Sequence, residues 1–194
     1  MLIIGIDPGV TRTGVVATTD TTKPPAAFAT FHSAYKHKNK PAYERVNGLG
    51  FIIADWIEGI IAANIKEQDV RLVIEKPIYN ANPENFALQW RLFQSILAWV
   101  CSDMPNISIL EVNPKTVKLI GAGKGNATKE DMVAASFFAG EDTMNVTDRE
   151  ALADAEAIAK CAKIMPPPGE LYRGNNANIA ADHALTGTFG GFDA

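Results

Sequence analysis

Residues 1–19, MLIIGIDPGVTRTGVVATT, decide the fold. Leu2 to Ile6 form an apolar, isoleucine-rich run that stops at Asp7-Pro8-Gly9, and the apolar pattern resumes at Thr13-Gly14-Val15-Val16-Ala17. β-Branched residues on both sides of a Pro-Gly break predict a hairpin of two strands. Residues 26–35, which alternate loosely after Pro24-Pro25, add a third strand. Downstream, Val46, Leu49, Ile52, Ile53, Trp56, Ile57, Ile60 and Ile61 recur at helical spacing, so residues 42–65 read as one amphipathic helix with a weak point at Gly48 and Gly50.

Residues 70–74, apolar but for Arg71, read as a strand buried on both faces that ends at Glu75-Lys76-Pro77. A second long helix is expected over residues 83–102, a strand over 107–112, and a basic, Gly-rich segment over 121–132 that opens another helix at Thr128. Residues 147–164 predict a helix capped by Thr147 or Asp148 and stopped by Pro166-Pro167-Pro168, and residues 177–186 could form a last short one. Three strands, helix, strand, helix, strand, helix is the order of an α/β fold with a mixed five-stranded sheet flanked by helices. The expected organisation is one domain over residues 1–194, with 141–176 as a candidate insertion or linker.

An apolar content of 47% in 194 residues is ample for a sizeable core. No uninterrupted apolar run approaches the roughly 20 residues of a membrane span, and no basic segment precedes the opening run, so a soluble, cytoplasmic protein with no membrane partner is expected. Cys101 and Cys161 show no zinc-site spacing and read as two reduced, partly buried thiols. A net charge of −4 argues against indiscriminate coating of nucleic acid. Local charge is more telling. Lys36, Lys38 and Lys40 with His37 read as a solvated face or a basic patch, whereas residues 112–129 carry Lys115, Lys118, Lys124 and Lys129 and no acid, as a phosphate-contacting surface would.

The acids matter for where they fall. Asp7 ends the first strand and Glu75 the fourth, each at the last position of a largely apolar run. A carboxylate there is costly unless it is paired or binds a cation. Two on neighbouring strands, with a third from a helix, would make a hard oxygen site suited to Mg2+, with Mn2+ as an alternative, and to phosphodiester hydrolysis. Each also has a plainer reading, Asp7 as a turn residue and Glu75 as an exposed strand end.

With these residues in view, the chain resembles the RuvC-type Holliday junction resolvases, the crossover junction endodeoxyribonucleases, including the shorter forms carried by phages and prophages. Ile3-Ile4-Gly5-Ile6-Asp7-Pro8-Gly9 through Gly14 is similar to the family's first motif, Leu72 to Pro77 to its second, and Val117-Lys118 with residues 124–133 to its basic segment. The resemblance covers roughly residues 1–140 and implies an RNase H-like fold. It also implies a metal-dependent endonuclease that acts on four-way DNA junctions as a homodimer built on the two long helices. Asp7 and Glu75 match its metal-binding carboxylates, Lys118 and Lys129 match basic positions at the scissile region, and Ile78 or Tyr79 falls where the family places a wedge at the junction centre. A packing residue is the alternative there.

The family's last motif has two candidates. Asp154, with Glu150 one turn earlier, lies 22 positions after Met132, and Asp182, beside His183, lies 50 after it. The interval favours Asp154; the position near the end of the chain favours Asp182. Neither keeps a carboxylate three residues upstream, where Ala151 and Ile179 stand, so Glu150, Asn178 and His183 are all open as a fourth ligand. Rival readings are a broader fork or flap nuclease, a junction binder without cleavage, and an actin-like ATPase, for which one 194-residue chain is too short.

Overall fold

A computed structural model describes residues 1–32, 39–64, 69–79, 82–103 and 107–164. Its elements in order are β1 (Leu2–Asp7), β2 (Arg12–Thr18), β3 (Ala27–His32), α1 (Ala42–Ala63), β4 (Val70–Glu75), α2 (Pro83–Asp103), β5 (Ile107–Val112), α3 (Pro114–Ala122), α4 (Lys129–Ala134) and α5 (Val146–Cys161). The five strands form one mixed sheet in the order β3-β2-β1-β4-β5. β1 runs parallel to β4, and β4 to β5, while β2 is antiparallel to both β1 and β3.

Helices cover both faces, and the period-two alternation of the strands assigns each residue to one of them. Leu2, Ile4, Ile6, Val15, Ala17, Leu72 and Ile74 pack against α1 and α2 through Val46, Leu49, Ile53, Ile57, Leu92, Ile96 and Val100. Ile3, Val16, Val73, Leu110 and Val112 pack against the other layer through Val117, Met132, Leu152, Ala155 and Ile158. Ile53 is fully buried, so Ile53→Ala should lower stability by about 2–4 kcal/mol, read as a reduced denaturant midpoint with an unchanged slope.

Arg71, the one basic residue in β4, faces the second layer and is buried. It donates from Nη1 to the Ala162 carbonyl at 3.2 Å, where a cation satisfies the exposed carbonyl end of α5. Gly48 and Gly50 do not interrupt α1. A Cβ on Gly50 would stand 2.4 Å from Ser95 Oγ, so its missing side chain lets α1 and α2 close up. By length and composition α1 could cross a membrane, although Asp55 and Glu58 interrupt its apolar run; here its apolar face lies on the sheet.

Two local details go beyond or against the sequence reading. Residues 114–122, where the sequence pattern predicts no element, form α3, with Pro114 in its first turn and the Asn113 side chain accepting from Thr116 N. The cap of α5 is Asn145, whose Oδ1 accepts from Asp148 N at 2.9 Å, in place of Thr147 or Asp148. Cys161 is buried and Cys101 exposed, both as free thiols. The helix expected over residues 177–186 lies outside the described residues.

Candidate active site

Ile6 pairs with Ile74 in the parallel ladder, so Asp7 and Glu75 leave the carboxyl ends of neighbouring strands at the same level. Ligands of open α/β sheets gather at that edge. Their parity is that of Ile3 and Val73, which turns both carboxylates toward α5. α5 can lie close because small residues meet small residues: an added Cβ on Gly5 would stand 2.3 Å from the Ala155 carbonyl oxygen, and one on Gly14 would stand 2.1 Å from that of Ala151. Asp154, on the same helix between those alanines, thus reaches the space above Asp7 and Glu75.

That space is a cleft of about 570 Å3 lined by Asp7, Glu75, Glu150 and Asp154, by Lys118 and Lys129, and by Arg12, Asn85, Gln89 and Thr147 among others. Lys129 Nζ is hydrogen-bonded and ion-paired to Asp154 Oδ2. Burial pulls the Lys129 ammonium down, but Asp154, Asp7 and Glu150 more than offset this, and it stays charged well past neutrality. Desolvation, then the charge of Asp154, pushes Asp7 up to about 7 against the pull of Lys129. Glu75 is pushed up to about 9 by desolvation and by Asp7 and Asp154, with Lys129 and Lys118 opposing. Behind Glu75 the Cys161 thiol is raised to about 12, first by burial and then by that carboxylate.

Among the described residues no three His, Cys, Asp or Glu side chains are drawn together closely enough to hold a cation as they stand. The acids still outnumber the cations in a partly buried cleft, and each raised pKa records an unmet demand for positive charge.

Because Asp7 and Glu75 bind protons more tightly folded than unfolded, the metal-free protein holds extra protons between about pH 4 and pH 9. Their contribution is fully present below the unfolded values near 4 and is lost as pH rises through 7 and then 9. Stability of the metal-free protein should therefore fall by about 2–4 kcal/mol between pH 5 and pH 8, allowing for solvent at the cleft mouth, in urea titrations with a chelator present.

No protein-family model matches the chain. The crossover junction endodeoxyribonuclease RuvC of Chlamydia muridarum is 25% identical over 177 residues, 89% of this chain and 96% of that relative. The structure of Thermus thermophilus RuvC superposes with a TM-score of 0.60 at 20% identity, covering 84% of this chain and 96% of that one. T. thermophilus RuvC in complex with a Holliday junction substrate gives 0.59 at 21% identity, covering 82% of this chain and 91% of that one. The chain is RuvC-like in sequence and in fold.

Within this RuvC-like frame the structure brings together Asp7, Glu75, Asp154, Lys118 and Lys129 in one cleft, with Glu150 beside them. Asp182, Asn178 and His183 lie outside the described residues, as do Lys36, His37 and Lys38. Lys115 and Lys124 are not among the lining residues; Lys124 is ion-paired to Asp131 at 2.8 Å and exposed Lys115 runs along Gly125. Ile78 and Tyr79 also stand outside the lining, 56% and 70% exposed just beyond Glu75, with Tyr79 edge-on to Phe86 at 5.4 Å.

Several lining residues were not singled out in the sequence. Arg12 ties β2 to the start of α5, donating to Asn145 Oδ1 at 2.8 Å and pairing with Asp148 at 3.1 Å. Its place in the first motif was the available signal. Asn85 and Gln89 carried none, because two neutral amides on a long helix form no recognisable pattern.

Proposed function

We propose that the protein is a divalent-cation-dependent endonuclease that resolves four-way DNA junctions by paired nicks from a homodimer. The observation that carries this is the gathering of Asp7, Glu75 and Asp154 with Lys118 and Lys129 in one cleft at the carboxyl edge of the sheet. RuvC relatives over most of the chain, one of them bound to a Holliday junction, support the choice of substrate.

The donor set fits Mg2+ or Mn2+. It offers carboxylate oxygens alone, as hard cations prefer, and Asp7 and Glu75 take up protons for want of positive charge. Asp7, Glu75 and Asp154 would hold the ions, with Glu150 the nearest candidate for a fourth ligand. Bound there, divalent ions supply an activated water and charge stabilisation at the leaving oxygen. Lys118 and Lys129 hold the scissile phosphate against the negative cleft, and Lys129 releases Asp154 as it does so. Loading should expel roughly one to two protons per protein near pH 7, seen in calorimetry as a heat that changes with buffer ionisation enthalpy.

A homodimer supplies two cuts related by a dyad. The exposed side chains of Tyr43, Phe51 and Ile52 on α1 and Trp99 on α2, with Phe51 and Trp99 edge-to-face at 5.1 Å, support the two long helices as its interface. The Lys129–Asp154 pair favours one second reading, a junction-binding protein that does not cut. Cleavage of a four-way junction, a flap and a linear duplex in Mg2+ separates the readings: the junction should be cut at least about 100-fold faster, whereas equal rates point to a broader nuclease and tight binding without cleavage to the second reading.

A further inference from the structure

The cleft has two unlike walls. On the α3–α5 side stand Lys118 and Lys129, suited to phosphate; on the α2 side stand Asn85 and Gln89, one helical turn apart. Neither of these side-chain amides makes a hydrogen bond or an ion pair within the described residues, although both face a cleft rich in charge. Each has a donor and an acceptor to offer, and neither carries charge. Beside Asp7 and Glu75, a neutral amide draws a phosphate weakly. The edge of a base, which presents donors and acceptors together, is the better complement.

One position round the same helix runs a stripe of rings. Phe86 and Trp90 stack at 6.3 Å, Trp90 and Phe93 at 5.3 Å, and Tyr79 leans on Phe86 with most of its surface exposed. Phe93 is buried in the core and Phe86 and Trp90 are half-buried, whereas the exposed ring of Tyr79 can accept an unstacked base whatever its identity. Stacking on Tyr79 and edge recognition from α2 are thus offered side by side, next to the acids.

Resting on the junction-nuclease reading, we propose that Asn85 and Gln89 select the nucleotide sequence at the cut, by hydrogen bonds to the edge of a base next to the scissile phosphate. They are specificity residues, and the cations and lysines act on every sequence alike.

The test is a set of four-way junctions identical but for the base pairs flanking the crossover, with kcat/KM measured in Mg2+ for the wild type, Asn85→Ala and Gln89→Ala. The wild type should prefer some sequences, and at least one variant should shrink the ratio between best and worst by about tenfold, mainly through loss on the best. A fault in folding or in the metal site would lower all junctions together and leave that ratio intact. Equal wild-type rates on all junctions, or an unchanged ratio in both variants, overturns the proposal. A wild type that cuts no junction overturns the nuclease reading on which it rests.

Discussion

Asp7→Asn should lower junction cleavage by on the order of 10³-fold or more while making the metal-free protein more stable at pH 8, by about 1–3 kcal/mol. Both effects have one origin. Asp7 sits at the end of a buried strand, pushed up to about 7 by desolvation and by Asp154, so its ionised form is held at a cost when no cation is present. The amide keeps the shape and removes that cost, and with it a charged oxygen ligand. The decline of stability between pH 5 and pH 8 should flatten in the same variant. Junction binding should stay within about threefold, since one negative charge fewer near the phosphate does not weaken the complex. Cleavage rates beside urea midpoints at two pH values check the pairing; a variant that still cuts refutes the assigned role.

Gly14→Ala should lower stability by about 2–4 kcal/mol and cost cleavage activity even where the protein remains folded. Its Cβ would stand 2.1 Å from the carbonyl oxygen of Ala151 and 2.5 Å from the carbonyl carbon, and backbone cannot swing aside as the tip of a side chain can. α5 must lift from β2, and Asp154 and Glu150, on the same helix, lift with it. Gly48→Ala is the matched control. A Cβ at Gly48 meets nothing within 4 Å in the same chain, on the exposed face of α1, so alanine there should stabilise the fold by up to about 1 kcal/mol instead of lowering its stability. Thermal melts and cleavage rates of the two variants make the comparison.

The sheet was readable from sequence because its strands are apolar runs closed by clear stops: Asp7-Pro8-Gly9 after β1 and Glu75-Lys76-Pro77 after β4. The parallel pairing that puts their carboxylates level follows from the helix between them. α3 went unread because nine residues containing only Val117, Leu119 and Ile120 as large apolar groups show too little periodicity; Asn113-Pro114, a cap followed by a first-turn proline, was the signal available.

The approach of Asp154 to Asp7 and Glu75 was not legible from spacing, since it depends on which helix lies on β1 and β2. Two glycines on adjacent strands, Gly5 and Gly14, facing Ala151, Ala155 and Ala159 on one helix, are the physical signature of that contact. It can be recognised only once the strands are known to be neighbours. Of the four lysines read from sequence as one basic stretch, Lys118 on α3 and Lys129 on α4 line the cleft, while Lys115 and Lys124 stand outside its lining.

The central claim is that Asp7, Glu75 and Asp154 together hold the catalytic cation. A crystal structure of the protein soaked in Mn2+, with the ion located by its anomalous signal, tests it most directly. Density within roughly 2.0–2.6 Å of carboxylate oxygens of Asp7, Glu75 and Asp154, with Lys129 swung away from Asp154, is the expected result. An ion bound by Asp7 with Asp182 in place of Asp154, or no ion between Asp7 and Glu75 at a concentration that supports cleavage, would contradict it.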